Sequence, residues 1–207
     1  MNARVVNLPI RNVSIRAARL MALAAALAML ALTGCATNTL QRKGAATVFD
    51  LRLDSELDWA RIKGPRQELW TIDGSKLNQL RIYSGVKPNE HVFMARKEKA
   101  SKPDGPWFRG GMRADELRDL ILDGLREEGA VNVSGSQLRP QRFSNVDGVR
   151  FDFAMTDAGG LNYKGTAAAV ERDGKLTALV WLAPGEHYHD RDVVAVNRML
   201  DGMQFAQ

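Results

Sequence analysis

Alternation of apolar and polar residues predicts several strands in this chain. Residues 47–53 are predicted to form one strand whose buried face holds Phe49, Leu51 and Leu53. Residues 149–155 alternate in the same way, which is typical of a half-buried antiparallel strand. Its apolar face would hold Val149, Phe151, Phe153 and Met155.

Two hairpins are predicted where strand-prone runs flank an Asp-Gly pair. Asp73-Gly74 and Asp173-Gly174 separate such runs, and glycine can adopt the positive φ that a tight turn requires. Residues 176–182 are nearly all apolar, so we expect a central strand there. Residues 86–106 contain three prolines and many basic residues, which predicts a long loop with at most a short strand at 92–95.

Two amphipathic helices complete the pattern. Residues 114–130 carry an apolar stripe at helical spacing, with acidic residues in the first turn and Gly129 at the end. The stripe consists of Leu117, Leu120, Ile121 and Leu125. A second stripe near the end of the chain consists of Val193, Val196, Met199 and Leu200. Because hairpins dominate, we expect an α+β fold, with an antiparallel β-sheet flanked by helices.

The first 35 residues have a different pattern. Residues 1–19 contain four arginines and no acidic residue, and residues 20–32 are an unbroken apolar run. This is the arrangement of a signal peptide, and 13 apolar residues are too few to span a bilayer comfortably, which takes about 20. The run ends in Leu32-Thr33-Gly34-Cys35, which resembles the lipobox of bacterial lipoproteins over all four positions.

The lipobox resemblance implies cleavage between Gly34 and Cys35 and a diacylglycerol and an N-acyl chain on Cys35, with no other cofactor. Several acyl chains on one residue would hold the protein on the bilayer, whereas one chain binds only reversibly. Ala36 stands where the family's inner-membrane members have aspartate, which favours the periplasmic face of the outer membrane. An ordinary signal peptide with a chance cysteine is the alternative.

The sequence thus divides into a signal peptide (1–34), a lipidated cysteine with a flexible tether (35–45) and a single α+β domain (46–207). The net charge of the whole chain is +5, but four positive charges are arginines of the signal peptide, which leaves +1. A nucleic-acid partner is therefore not expected. The expected partners are the lipid bilayer and another envelope protein.

The order of the segments LWTIDGSKLNQLRIYSGV, PWFRGGMRADELRDL, VRFDF, LNYKGTAAAVERDGKLTALVWLAP and HYHDRDVVAVNRML resembles uncharacterised bacterial envelope proteins. More distantly, it is similar to the PsbP-like fold superfamily. This resemblance covers most of residues 47–205 and implies an α/β/α sandwich that acts as a binding or assembly module. It transfers no functional residue to a position in this chain.

Two clusters are candidate ligand sites. His187 and His189 would point the same way on an extended backbone and, with nearby acidic residues, could bind zinc or copper. Alternatively, this segment only begins the last helix. Arg109 and Arg113 flank Gly110-Gly111 before a helix and could hold an anion, or they could be ordinary surface arginines.

Catalytic signatures are absent from the sequence, so an enzyme is not expected. There is no Gly-x-Ser-x-Gly motif. Four tryptophans could line a pocket or fill the core: Trp59, Trp70, Trp107 and Trp181. The sequence predicts a membrane-anchored envelope lipoprotein with a non-catalytic binding or assembly domain facing the periplasm. The alternative is a small-ligand or metal carrier that uses His187 and His189.

Overall fold

A computed structural model describes residues 38–101 and 103–206. The predicted signal peptide and the lipobox residues Gly34 and Cys35 lie outside this range. The first strands are β1 (Asn38–Gln41), β2 (Gly44–Val48), β3 (Leu51–Ser55), β4 (Trp59–Lys63), β5 (Gln67–Thr71) and β6 (Gln79–Val86). Then follow α1 (Ala114–Glu127), β7 (Val131–Phe143), β8 (Val146–Thr156), β9 (Asn162–Arg172), β10 (Lys175–Pro184), α2 (Tyr188–Asp201) and β11 (Gln204–Phe205).

An eight-stranded antiparallel sheet forms the centre of the fold, in the order β1-β4-β5-β6-β10-β9-β8-β7. Both predicted hairpins are confirmed, because β5 pairs with β6 across Asp73-Gly74 and β9 pairs with β10 across Asp173-Gly174. Strand β10 lies in the interior of the sheet and is almost wholly buried, as its apolar sequence predicts. The predicted apolar face of β8 is buried as well.

Each face of the sheet has its own core. Helix α1 packs its predicted stripe on one face, against residues such as Phe151, Phe153 and Val180. Helix α2 packs Val196, Met199 and Leu200 on the other face. The sandwich expectation is met only in part, because a small three-stranded sheet, β11-β3-β2, shares the second face with α2.

The prediction of one strand over residues 47–53 was wrong. The chain turns back at Phe49, whose φ is +53°, and β2 pairs with β3 as a tight hairpin. Phe49 is 37% exposed, whereas Val48, Leu51 and Leu53 are buried. The turn shifts the alternation by one residue, so the buried residue before the turn is Val48 rather than Phe49.

The flexible tether predicted for residues 35–45 was wrong over its described part. Residues 38–41 form β1, which pairs with β4, and β2 begins at Gly44. The backbone N–H of Lys43 donates a hydrogen bond of 2.8 Å to Asp58, and the Arg61 guanidinium donates to Gln41 and to the carbonyl of Thr47. These polar contacts order a segment that has few apolar residues.

Within the described residues, neither helix is long and apolar enough to cross a membrane. The long loop predicted for residues 86–106 is confirmed. Over its described residues, 86–101 and 103–106, its strand-like pairings after β6 are the isolated bridges of Glu90 with Lys97 and His91 with Trp107. Part of this loop packs on α1 and borders the candidate site.

Candidate functional site

A groove runs along β6 on the α1 side of the sheet, and we call it the β6 groove. Three adjoining cavities of about 150, 430 and 650 Å³ share lining residues along this strand. Its shared lining consists of Gln67, Ser75, Gln79, Arg81, Tyr83, Met94 and Glu128. Helix α1 packs mainly on β7 and β8, so it leaves this side of β5 uncovered, whereas the loop segment 91–96 and Glu128 lie against parts of β6.

The alternation of β6 determines which side chains line the groove. Leu80 and Ile82 point into the α2-side core, so Gln79, Arg81 and Tyr83 point to the opposite face. On β5, Gln67 and Leu69 pair with Tyr83 and Arg81 and share their face. The groove therefore has a floor that is partly polar and partly apolar.

The ionisable side chains that line the groove have contacts within the protein. Arg81 pairs with Glu128 at 2.5 Å and also donates to Gln79 at 2.8 Å. Tyr83 stacks on Phe93 with ring centroids 4.8 Å apart, and burial raises the pKa of Tyr83 to about 12. The phenol is therefore neutral near pH 7, and the Arg81–Glu128 pair has no net charge.

One wall of the groove is the loop segment 91–96, which depends on a buried histidine. The backbone N–H groups of Phe93 and Met94 donate to His91 Nδ1 at 3.1 and 3.2 Å. The ring proton therefore lies on Nε2, which donates to Glu127 at 3.1 Å. Burial lowers the pKa of His91, which keeps the ring neutral.

Two further contacts hold the same wall. Arg96 forms an ion pair with Glu127 and lies 5.5 Å from the ring centroid of Trp107. Trp107 in turn meets the His91 ring edge-on at 5.6 Å. The wall is thus a hydrogen-bonded and stacked unit, and Phe93 and Met94 extend from it towards the groove.

The predicted metal site is not assembled as the sequence suggested. Helix α2 begins at Tyr188, so His187 and His189 do not lie on an extended backbone. His187 is exposed, whereas His189 bonds Asp190 at 2.9 Å and packs on Trp181. Among residues 38–101 and 103–206, no group of three or more His, Cys, Asp or Glu side chains is placed to hold a metal ion.

The predicted anion site has its own partners within the protein. Arg109 bonds Asn89 and Glu98, and Arg113 bonds Asp115 and Glu116. The backbone N–H of Gly111 donates a hydrogen bond to the Glu171 carboxylate at 2.8 Å. Each of the two arginines thus has an acidic partner within the protein.

Three of the four tryptophans fill the core on the α2 side of the sheet rather than line the groove. Trp59, Trp70 and Trp181 are fully buried, and their indole N–H groups bond Ser55, Glu68 and Asn78. Sequence reasoning missed the groove residues Arg81, Tyr83 and Met94. The alternation in QLRIY was the available signal, because it places Arg81 and Tyr83 on the face opposite Leu80 and Ile82.

Comparisons with known proteins bear on the fold. The chain is similar to the solution structure of cyanobacterial PsbP (CyanoP) from Synechocystis sp. PCC 6803, with a TM-score of 0.51 and 10% identity. The likeness covers 84% of this chain and 95% of that one. The fold is PsbP-like.

A second comparison is weaker. The crystal structure of PA94 from Pseudomonas aeruginosa, a protein of unknown function, matches with a TM-score of 0.40 and 10% identity over 78% of this chain and 95% of that one. No protein-family model matches this chain, and no curated protein sequence matches it.

Proposed function

We propose that this protein is a membrane-anchored envelope lipoprotein whose domain binds a protein partner in the β6 groove, without catalysis. Two features support the proposal. The lipobox at residues 32–35 supports acylation of Cys35 and a position on the periplasmic face of the outer membrane. The observation that carries the binding function is the open groove along β5 and β6.

The shape of the groove favours an extended peptide segment over a small molecule. Its lining runs from Pro65 and Val86 at one end of β6 to Asp157 and Gly159 at the other. A strand of eight residues spans about 26 Å, so the groove could hold a peptide of similar length. Small-molecule sites are instead usually enclosed pockets that bury most of their ligand.

The chemistry of the groove also favours peptide binding. The exposed Gln67 offers an amide group that can both donate and accept hydrogen bonds, while Leu69 and Met94 offer apolar contact. Arg81 and Glu128 already neutralise each other, so the partner needs no strong net charge. A peptide with alternating apolar and polar residues fits this surface.

Site-specific photo-crosslinking in cells tests the proposal. A photoreactive residue at Leu69, on the floor of the groove, should capture one envelope protein reproducibly. The same residue at Val194, which is 58% exposed on α2, is the matched control and should not capture it. Capture at both positions or at neither would contradict groove binding.

A charge substitution provides a second test. Leu69→Asp should abolish recovery of the partner with the tagged protein, whereas Val194→Asp should leave it unchanged. Leu69 is only half buried, so the variant is expected to fold. Zinc or copper binding that is lost in His187→Ala and His189→Ala, together with unchanged partner recovery in Leu69→Asp, would instead favour the carrier function.

The anchor has a separate test. Mass spectrometry of the mature protein should find an acylated Cys35 as the first residue. Cys35→Ser should neither mature nor fractionate with membranes in the same way. Identical fractionation of the two proteins would contradict lipidation of Cys35 but would not bear on the proposal that the groove binds a partner.

A further inference from the structure

One end of the main sheet carries a cluster of cations, which we call the basic end: the exposed Lys63, Lys87 and Lys97 and the half-buried Arg66. The sheet register places its members together. Lys63 and Arg66 belong to the β4–β5 turn, and the backbone N–H of Ser84 donates to the carbonyl of Arg66, so the end of β6 lies beside this turn. Lys87 follows β6 directly, and Lys97 pairs with Glu90 in an isolated bridge.

Glu90 lies among these cations and organises them. Its side chain is 9% exposed, accepts from Arg66 at 2.6 Å and accepts from the backbone N–H of Lys87 at 2.9 Å. The hydrogen bond from Arg66 holds the pKa of Glu90 below its usual range. One buried carboxylate thus offsets only one of four cations.

The other acidic groups nearby do not cancel the remaining charge. Glu98 is paired with Arg109. At the far side of the same sheet end, Asp147 is paired with Arg142, whereas Asp50 and Asp173 share Arg172, so these residues leave one negative charge against the three lysines. In the part of the chain that the structure describes, the exposed amines of Lys63, Lys87 and Lys97 form no ion pair.

The chain enters the domain at this same end. Asn38, the first residue of β1, pairs with Ile62, next to Lys63 and the β4–β5 turn. Asn38 is the third residue after Cys35, and an extended chain advances at most about 3.6 Å per residue. An acylated Cys35 would therefore lie within about 11 Å of the start of β1.

We propose that the basic end rests on the anionic headgroups of the bilayer that holds the acyl chains. This inference depends on the proposed lipidation of Cys35. Charges in water interact over a Debye length of about 8 Å at physiological ionic strength, so cations this close to the anchor are within reach of lipid phosphates. The short connection between Cys35 and β1 and the lysines without ion pairs both favour the bilayer as the surface that contacts the basic end.

The orientation has a consequence for the β6 groove. The groove begins at Pro65 and Arg66 and ends near Asp157 and Gly159, at the opposite end of the sheet. Contact between the basic end and the bilayer orients the groove away from the membrane, with its far end open to the periplasm. A peptide partner would then enter from the aqueous side.

Fluorescence quenching on liposomes tests the orientation. The acylated protein is reconstituted in phosphatidylethanolamine liposomes that contain phosphatidylglycerol and a headgroup-attached spin label. Because the sulfur of Cys35 is blocked, Pro65→Cys or Ala158→Cys gives one free thiol for a fluorophore. The Pro65→Cys probe should be quenched, and the Ala158→Cys probe, in the turn after β8, should not.

A charge-matched pair of variants isolates the electrostatic cause. Each cation near an anionic surface contributes roughly fivefold to binding, so Lys63→Gln, Lys87→Gln and Lys97→Gln together should lower the ratio of docked to undocked protein on the order of 100-fold. Lys43→Gln, Lys76→Gln and Lys164→Gln remove the same charge elsewhere and should change little. Phosphatidylcholine liposomes should reproduce the loss.

Flotation with the liposomes separates this proposal from the anchor. Acylated protein that floats but shows equal quenching of both probes would overturn the orientation and leave the lipidation intact. Protein that does not float and has an unmodified Cys35 would refute the lipidation instead. Protection of the Pro65→Cys probe only after addition of an acidic envelope protein would assign the basic end to that protein and also overturn the proposal.

Discussion

Replacing Gly124 by alanine sets two effects of opposite sign against each other. Gly124 lies inside α1, where alanine is favoured over glycine by about 1 kcal/mol. A Cβ atom at this position would lie 2.7 Å from Phe93 Cε2 and 2.7 Å from Val92 Cγ1. Both side chains are buried, and Phe93 is stacked on Tyr83, so neither can move away without cost.

The expected result of Gly124→Ala is a loss of stability. Overpacking of a core costs about 1 to 3 kcal/mol, which exceeds the gain in helix propensity. We expect the free energy of unfolding to fall by about 1 kcal/mol, measured by urea denaturation with tryptophan fluorescence. Because the displaced residues form the groove wall, partner capture from Leu69 should weaken as well.

Two variants separate the contributions. Asp119→Ala on the exposed side of α1 should change the free energy of unfolding by less than about 0.5 kcal/mol. The double variant Val92→Ala, Gly124→Ala should lose less free energy of unfolding than the two single variants lose together, because Val92→Ala removes one of the clashing methyl groups. A Gly124→Ala protein that is about 1 kcal/mol more stable than the parent would refute the predicted clash.

Two further predictions concern buried polar groups. Burial lowers the pKa of His91 in the folded protein, so below about pH 6.5 the unfolded chain binds more protons than the folded one. The free energy of unfolding should therefore fall as the pH drops below about 6.5, by at most about 1.4 kcal/mol per pH unit. Urea denaturation at pH values from 7.5 to 5.5 checks this prediction. His91→Gln should remove the dependence of the free energy of unfolding on pH, whereas His187→Gln should not. The fully buried side chain of Arg150 donates a hydrogen bond to Asp201 at 2.8 Å. Arg150→Ala should therefore lower the free energy of unfolding by about 2 to 4 kcal/mol. In the same assay, Arg142→Ala at an exposed position should lower it by less than about 0.5 kcal/mol.

The origin of the pH effect lies in the groups that face His91. Glu127 accepts from its Nε2 and favours the charged ring, and Glu128 acts in the same direction. Burial and the charge of Arg96 act in the opposite direction, and burial is the largest effect. An unchanged free energy of unfolding between pH 7.5 and 5.5 in the parent protein would contradict this balance.

Local pattern was enough to predict the elements whose stability comes from one buried face. The α1 stripe, the alternation of β8 and the two Asp-Gly hairpins each repeat a period that fixes which side chains face the core, and each was found where the sequence placed it. The nearly continuous apolar run of β10 likewise indicated a strand covered on both faces.

Errors arose where the pairing of one segment with another, rather than the alternation within a segment, decides the structure. Residues 38–45 have little apolar character, but Arg61 and Asp58 bind them and make β1 a strand. Phe49 fits an alternating strand, but the pairing of β2 with β3 places it in a turn. The alternation of apolar and polar residues within one segment predicts neither the contacts of Arg61 and Asp58 nor the turn at Phe49.

The sequence by itself determined the apolar periods, the turn positions and a lipobox at residues 32–35. Only the tertiary structure decided that Arg81 and Tyr83 share a groove with the wall built on His91, and that Lys63, Lys87 and Lys97 gather where β1 begins. The physical reason is that secondary structure follows from periodicity along the chain, whereas a site depends on which distant segments the sheet register brings side by side.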